Sequence, residues 1–263
     1  MSTPPTELLD LALDVGRQAA ALVRRRREQP VEVADTKSSS VDVVTEADRA
    51  SEELIHRLLT GARPGDAFLG EEGGTADGTT GVRWVVDPID GTVNFLYGLP
   101  QYAVSIAAEQ DGTVVAGVVI NAATGAEYAA VLGGGSTRDG RPLAVRATPP
   151  LAERLVITGF NYDARVRSLQ ARAAARLLPR VRDIRRLGSS ALDLCFVAEG
   201  YADAYVEEGV HLWDHAAGAL VAREAGATTR LVPGVGGMEV MVAAPEAGFD
   251  EFFEAVAEAG FLA

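Results

Sequence analysis

The chain has 263 residues, 48% of them hydrophobic, so it can bury a substantial core as one large domain or two fused lobes. Its 37 acidic residues outnumber 24 Lys and Arg, and the formal net charge of -13 argues against nucleic acid as the main partner. The single cysteine, Cys195, excludes an intrachain disulfide. The N-terminus lacks the basic segment of a secretory signal, and no run approaches the roughly 18 apolar residues of a membrane helix. We therefore expect a cytoplasmic protein without a membrane partner.

Two amphipathic helices are predicted near the N-terminus. The first covers residues 5–28, where apolar side chains recur with a helical period after the prolines at its start. It ends in four arginines, Arg24 to Arg27, which complement the helix dipole, with an anion site as the alternative interpretation. The second helix follows in TEADRASEELIHRLL, with Thr45 as its N-cap and Asp48 in the third helical position.

Short strands come next, and strands then alternate with helices. Three strand-like runs are YAVSIAAEQ, TVVAGVVIN and AEYAAVL, and the dipeptide Asp111-Gly112 joins the first two as a hairpin. Beyond residue 150, the strands RLVITGF and ADAYVE alternate with the helices ARVRSLQARAAARLL, SSALDLCFVAEG and WDHAAGALVAREAG. This alternation predicts an α/β fold. A weak seam at Thr148 to Leu151 divides a single domain, 1–263, into lobes of approximately 1–148 and 149–263.

Acidic residues stand where predicted strands end and helices begin. In WVVDPIDGTVNF, Pro88 is predicted to end the strand at Asp87, and Asp90-Gly91 forms a turn that lets both carboxylates converge. The segment FLGEEGG places two glutamates at another strand end, and HLWDHAAG opens a helix with Asp214. The alternative for D-P-x-D is a turn whose aspartates only cap backbone groups.

Four converging carboxylates would need cations. Each pair about 4 Å apart would repel by about 4 kcal/mol at an effective dielectric constant of 20. The candidate ligands are hard oxygens and the three histidines form no zinc pattern, so magnesium is the natural ion. Free amides at Gly91 and Thr92 suit a phosphate. Because the sequence has no nucleotide-binding loop and no G-x-S-x-G elbow, water activated by metal is the remaining nucleophile.

The chain contains, in this order, GEEGG at 70–74, WVVDPIDGTVNF at 84–95 and WDHAAGALVAREAG at 213–226. Together these segments resemble the inositol monophosphatase family of magnesium-dependent, lithium-sensitive phosphatases. The resemblance extends from KSSSVDVVTEAD to EAGA, most of the chain, and D-P-I-D-G-T-x-N-F with a distant W-D is highly specific. It implies an α/β fold of the inositol monophosphatase and fructose-1,6-bisphosphatase type, a layered αβαβα sandwich, in a homodimer.

The same resemblance implies a role for each matching residue. Two or three Mg²⁺ ions would be held by four carboxylates and one backbone carbonyl, those of Glu71, Asp87, Asp90, Asp214 and Ile89 respectively. Thr92, paired with Asp48, would help activate the attacking water, while Glu71 would also accept its proton. The amides of Gly91 and Thr92 would hold the phosphate. Lys37 and Asp42 would lie on a mobile loop that closes the site.

The substrate implied by the resemblance is inositol 1-phosphate. Glu207 would contact inositol hydroxyls, and Ser189 and Ser190 would line the same pocket, although Ser190 replaces an alanine common in inositol phosphatases. Histidinol phosphate, fructose 1,6-bisphosphate and adenosine 3',5'-bisphosphate are alternative substrates in the family. A further alternative is a non-catalytic binding module that contacts the transcription machinery, as some bacterial relatives do; such a module would not need four intact carboxylates.

Overall fold

The strands form two large sheets in a computed structural model that describes residues 3–29, 33–36 and 43–263 of the chain. The helices are α1 (Pro5–Arg27), α2 (Glu46–Ala62), α3 (Thr92–Tyr97), α4 (Ala164–Leu177), α5 (Ser190–Glu199), α6 (Leu212–Glu224) and α7 (Phe249–Ala259). The strands of the first half are β1 (Val33–Thr36), β2 (Val43–Thr45), β3 (Ala67–Gly70), β4 (Thr75–Ala76), β5 (Val82–Asp90), β6 (Ala103–Gln110), β7 (Thr113–Asn121), β8 (Glu127–Val131), β9 (Gly135–Arg138) and β10 (Arg141–Pro142). The second half adds β11 (Leu155–Thr158), β12 (Asp183–Arg185), β13 (Ala204–Glu208), β14 (Ala227–Pro233) and β15 (Glu239–Pro245).

The larger sheet has eight strands in the order β10-β9-β8-β7-β6-β5-β3-β4, and the smaller has five in the order β12-β11-β13-β15-β14. Strands β3 and β5 run parallel, as do β11 and its two neighbours β12 and β13, while the other neighbours in both sheets are antiparallel. Strands β1 and β2 form a separate antiparallel pair that leads into α2.

Five layers of structure pack around three buried apolar clusters, of which the central one contacts both faces of the middle layer. Helices α1 and α2 cover the outer face of the larger sheet, α5 and α6 lie between the sheets, and α4 and α7 cover the smaller sheet. Along β5, Trp84 and Val86 pack toward α1 and α2, whereas Val85 packs into the central cluster. This arrangement confirms the predicted αβαβα sandwich. The seam near residues 148–151 falls between the two sheets, and the division into lobes stays a prediction.

Local signals in the first half predicted several elements closely. Helix α1 spans Pro5–Arg27, and α2 begins after Thr45, whose backbone N–H donates to Asp48 Oδ2 at 2.8 Å in a capping box. The predicted hairpin is confirmed, because Gln110 pairs with Thr113 across a two-residue turn with positive φ at Asp111 and Gly112. None of the helices in the part of the chain described here is both long and apolar enough to cross a membrane.

Strand β5 does not end at Asp87, so the predicted strand end was wrong. The strand continues to Asp90, and its pairing with β6 is interrupted between Asp87 and Asp90, where Pro88 has no N–H to donate. Pairing resumes when Asp90 meets Ala103. Proline therefore produces an irregularity within the strand rather than its end, and both aspartates stay at the rim of the larger sheet.

Candidate functional site

A cavity of about 730 Å³ lies where the ends of strands from both sheets meet the first residues of several helices. Predicted site residues in its wall are Glu71, Asp87, Ile89, Asp90, Gly91, Thr92, Ser190, Glu207 and Asp214. Asp48 and Ser189 are buried behind this wall, where each forms a hydrogen bond with a residue of the wall. Lys37 and Asp42 lie outside the described residues. The fold thus brings most of the predicted residues to one cavity.

Three carboxylates converge on one point of the cavity. One oxygen from each of Glu71, Asp87 and Asp214 lies within 4.8 Å of the others. Burial raises the pKa of Asp87 and of Asp214 well above the ordinary value, and neighbouring carboxylates, including Glu71 and Asp90, raise both further. The protein alone therefore disfavours full ionisation of this group.

This donor set fits a hard divalent cation. It consists of carboxylates alone, without histidine or cysteine, and such ligands suit magnesium. A dication between the three oxygens would offset the desolvation and mutual repulsion that raise these pKa values. The chemistry of the residues present is therefore consistent with the metal that the sequence predicted.

Asp90 lies beside the three carboxylates and anchors α5. Its Oδ2 accepts hydrogen bonds from Ser189 Oγ at 2.6 Å and from the backbone N–H of Ala191 at 2.7 Å. Burial raises the pKa of Asp90 to about 7, although the two hydrogen bonds act in the opposite direction. The carboxylate therefore joins the end of β5 to the first turn of α5, and its Oδ1 takes part in neither bond.

Asp87 and Asp214 each support local backbone as well. Asp87 Oδ1 accepts from the N–H of Ile89 at 3.0 Å, as in an Asx turn. Asp214 Oδ2 accepts from the backbone N–H of His211 at 2.6 Å, at the start of α6. A carboxylate has two oxygens with several lone pairs, so backbone capping and metal binding by the same aspartate are compatible.

The Thr92 hydroxyl lies between two acceptors. Its Oγ is 3.1 Å from Asp48 Oδ1 and 3.1 Å from the carbonyl oxygen of Ile89. Burial raises the pKa of Asp48 to about 6, while the hydrogen bonds from Thr45 lower it. The hydroxyl has one proton for these two acceptors, so its own lone pairs remain able to accept from a donor in the cavity.

Gly91 makes the turn between β5 and α3 possible. Its φ is 93°, and a Cβ there would stand 2.8 Å from the carbonyl oxygen of Gln101. Both the left-handed backbone and the close approach therefore require glycine. The first amides of α3 follow directly and border the same cavity.

Glu207 forms part of a second polar region of the wall. Its Oε2 accepts from the Tyr205 hydroxyl at 3.0 Å, and a Cβ at Gly159 would overlap the Glu207 carboxylate. Burial raises the pKa of Glu207, whereas the positive charge of Arg186 lowers it. Ser190 Oγ donates to the carbonyl oxygen of Asp214 at 3.1 Å, so this region adjoins the carboxylate group.

Comparison with known proteins shows which family the chain resembles. The sequence profile of the inositol monophosphatase family matches residues 5–250. The chain belongs to the inositol monophosphatase family. The inositol-1-monophosphatase of Mycobacterium bovis is 44% identical over 272 aligned residues, which cover 96% of this chain and 94% of that protein. The predicted family is therefore confirmed.

Two further relatives of the inositol monophosphatase family are informative. The solved structure of Mycobacterium tuberculosis SuhB aligns with a TM-score of 0.85 at 42% identity, over 98% of this chain and 99% of that chain. A protein of Pasteurella multocida named Nus factor SuhB is 38% identical over 83% of each chain. Relatives of this chain thus carry either the name inositol-1-monophosphatase or the name Nus factor.

Two buried acidic residues next to predicted site residues were not predicted. Asp193 on α5 is fully buried, and neither of its carboxyl oxygens has a hydrogen-bond partner within the described ranges. Burial raises its pKa well above the ordinary value, with Glu207 adding to the effect. On α2, Glu52 is also buried and contacts the segment after Glu71. The position of Glu52 in the sequence could have indicated its role, because it lies four residues after Asp48 and therefore on the same face of α2.

Proposed function

We propose that the chain is a magnesium-dependent phosphomonoesterase that hydrolyses inositol 1-phosphate to inositol and phosphate. The observation that carries this proposal is the convergence of Glu71, Asp87 and Asp214 oxygens within 4.8 Å, in the wall that also holds Thr92. Membership of the inositol monophosphatase family supports the phosphatase class. The name inositol-1-monophosphatase, borne by relatives at 44% identity, supports the choice of substrate.

The carboxylates of Glu71, Asp87, Asp90 and Asp214, with the Ile89 carbonyl, would hold two or three Mg²⁺ ions. Bound magnesium supplies Lewis-acid polarisation of the phosphoryl group and lowers the pKa of water near it. The amides of Gly91 and Thr92 would bind phosphate oxygens.

The attacking water would be oriented by side chains of this chain. The Thr92 hydroxyl, held by Asp48 at 3.1 Å, accepts a hydrogen bond from that water, and Glu71 takes up its proton. No side-chain nucleophile is needed. Cys195, the only thiol in the sequence, is fully buried, and burial raises the pKa of the thiol well above its ordinary value.

A panel of phosphate esters tests the substrate. Values of kcat/KM with magnesium should be highest for inositol 1-phosphate when it is compared with histidinol phosphate, fructose 1,6-bisphosphate and adenosine 3',5'-bisphosphate. A higher value for another ester would contradict the proposed substrate but not the reaction. Failure to hydrolyse any member of the panel, or other phosphomonoesters, with magnesium present would contradict the phosphatase function.

Glu207→Ala is expected to weaken turnover of polyol esters selectively. If Glu207 accepts hydrogen bonds from inositol hydroxyls, its loss removes a charged partner and costs about 1.5 to 3 kcal/mol, roughly a ten- to hundredfold drop in kcat/KM. An aryl ester such as p-nitrophenyl phosphate has no hydroxyls to present, so its kcat/KM should hardly change. Steady-state kinetics with both substrates measures the difference.

The matched control for Glu207 is Glu254→Ala, which removes an exposed glutamate from α7 and should leave both substrates unaffected. Equal losses on inositol 1-phosphate and on the aryl ester would show that Glu207 supports the fold of the site. No loss on either would leave it without a role in turnover. Either result would reject Glu207 as the residue that recognises the polyol.

A role in transcription is the second candidate, because a relative at 38% identity is named Nus factor SuhB. A protein-binding surface does not require a convergent carboxylate group, so charge-removing changes in the cavity separate the two functions. If such a variant no longer releases phosphate but still captures the transcription machinery, the chain has both functions. We favour the enzyme because the family's carboxylate residues are all present in this chain.

We also propose that the protein works as a homodimer, as the family resemblance implies. The side chains of Tyr97 and Leu99 are 76% and 54% exposed, respectively, although both are large and hydrophobic. Their exposure is consistent with a surface that binds a second copy of the chain. Light scattering coupled to size-exclusion chromatography would measure the mass, and a mass of one chain at micromolar concentration would contradict the dimer.

A further inference from the structure

Helix α2 presents three buried polar side chains to the candidate site. Asp48, Ser51 and Glu52 lie on one face, because residues three and four positions apart are neighbours on a helix. They are 0%, 0% and 6% exposed, respectively, although polar side chains are seldom buried without a partner. Each of them contacts a different segment of the site, which distinguishes this face from an ordinary apolar one.

The three side chains contact three different segments of the site. Asp48 accepts from the Thr92 hydroxyl, and Ser51 Oγ donates to the Pro88 carbonyl oxygen at 3.1 Å. Glu52 reaches the segment 70–74, which contains Glu71. One helix face therefore connects the start of α3, the irregular part of β5 and the glutamate-containing segment after β3.

Glu52 binds that segment through both carboxylate oxygens. Oε2 accepts from the backbone N–H of Glu72 at 2.8 Å, and Oε1 accepts from the backbone N–H of Gly74 at 2.9 Å. Hydrogen bonds from N–H groups to a buried carboxylate are stronger than those between neutral groups. The two bonds fix the backbone directly after Glu71 relative to α2.

Two glycines make room for this carboxylate. A Cβ at Gly70 would overlap the Glu52 carboxylate, and a Cβ at Gly74 would stand 2.7 Å from Oε1. Neither glycine has a positive φ, so backbone conformation does not explain them. The glycines of G-E-E-G-G at 70 and 74 are therefore explained by the close approach of Glu52.

From these contacts we infer that Glu52 is a positioning residue for Glu71, which it places relative to Asp87 and Asp214 by holding the backbone of residues 72 and 74. Glu71 is fixed on its other side by its own backbone N–H, which donates to the Val86 carbonyl oxygen at 3.1 Å. Ligands around a metal must be held to within about 0.5 Å, so a displaced loop would lower metal affinity. The inference rests on the proposed magnesium-dependent function.

Magnesium affinity of the full chain, measured by isothermal titration calorimetry without substrate, tests this role. Glu52→Gln replaces one acceptor by an amide NH₂, which cannot accept the hydrogen bond from a backbone N–H. Glu52→Asp keeps the charge but is one methylene too short to reach both N–H groups. Gly74→Ala keeps Glu52 and crowds its carboxylate. All three should bind magnesium about 10- to 100-fold more weakly, as expected for residues that support metal ligands.

The matched control is Glu53→Gln, which removes the same charge from an exposed position one residue further along α2 and should keep the original affinity. Unfolding temperatures in EDTA show separately whether a variant is merely less stable. Calorimetry is therefore done well below the lowest of these temperatures.

If Glu52→Asp and Gly74→Ala bind magnesium as tightly as the original chain and only Glu52→Gln binds it more weakly, then only the negative charge of Glu52 matters. This result would overturn the inference. Lower unfolding temperatures with unchanged affinity would assign Glu52 to folding alone and would also overturn it. If the unsubstituted chain binds no magnesium, the proposed function fails and this inference fails with it. If the unsubstituted chain binds magnesium and the variants bind it equally well, only this inference fails, so the two failures are distinguishable.

Discussion

Removal of divalent cations should abolish phosphate release, and added magnesium should restore it. The carboxyl pKa values of Asp87 and Asp214 are raised by burial and by neighbouring acids, which shows that the protein alone does not stabilise their ionised forms. An incoming phosphate monoester would add further negative charge beside them. The expected activity after exhaustive chelation is therefore the background of the assay, measured as phosphate released from inositol 1-phosphate.

Circular dichroism of the chelated protein provides the control, because a folded but inactive protein assigns the loss to the metal rather than to unfolding. Full turnover after chelation would contradict the metal-dependent mechanism. The family resemblance also predicts inhibition by lithium at fixed magnesium. Insensitivity to lithium would weaken the parallel with lithium-sensitive relatives but would leave the argument from the carboxylates intact.

Local sequence signals predicted the parts of the site that depend on neighbours in the chain. Thr45 and Asp48 form their capping box within four residues, and the turn at Gly91 depends on the conformation of that glycine. Asp87 and Asp90 lie three residues apart at the same end of β5, although only Asp87 is among the three carboxylates whose oxygens converge within 4.8 Å. Such features require only a short stretch of backbone, so sequence spacing was enough to predict them.

Contacts between distant segments could not be predicted in the same way. Glu52 meets Gly74 across 22 positions, and Gly159 makes room for Glu207 because β11 and β13 are parallel neighbours. Strands β14 and β15, which lie on either side of the glycine-rich segment PGVGGM, were also not predicted. Each of these features depends on tertiary packing that overrides or supplements local preference.

Strand β5 shows where a local rule was applied too strictly. Pro88 removes one ladder hydrogen bond, from which a strand end at Asp87 was predicted, yet β6 continues alongside and pairs again at Asp90. The cost of one missing bond is small beside the burial of Val85, Val86 and Ile89, each at most 1% exposed. The neighbouring strand therefore decides where β5 ends.

Asp90→Asn is expected to reduce kcat for inositol 1-phosphate about a hundredfold or more while leaving the fold intact. The asparagine carbonyl oxygen can still accept from Ser189 Oγ and the Ala191 N–H, so the anchor to α5 survives. What is lost is one negative charge beside Asp87 and Asp214. Kinetics at saturating magnesium and calorimetric magnesium affinity would both measure this loss.

Stability should change in the opposite direction to activity. Burial raises the pKa of Asp90 to about 7, and its charge raises the pKa of both Asp87 and Asp214. Neutral asparagine relieves this repulsion, so the unfolding temperature in EDTA should be unchanged or higher than that of the original chain. Magnesium at about 100 times its Kd should stabilise the original chain by about 2.7 kcal/mol, and the variant by much less at the same concentration.

Asp10→Asn, at an exposed position on α1 beyond its first turn, is the matched control for Asp90→Asn and should retain activity, magnesium affinity and both unfolding temperatures. An Asp90→Asn protein with original kcat and the original stabilisation by magnesium would show that Asp90 serves only to anchor α5. A large drop in the EDTA unfolding temperature would instead show that the anchor needs the full carboxylate charge. The expected result is that Asp90→Asn loses turnover while its unfolding temperature in EDTA is no lower than that of the original chain. This combination would show that the Asp90 carboxylate serves to bind the cation and does not stabilise the metal-free protein.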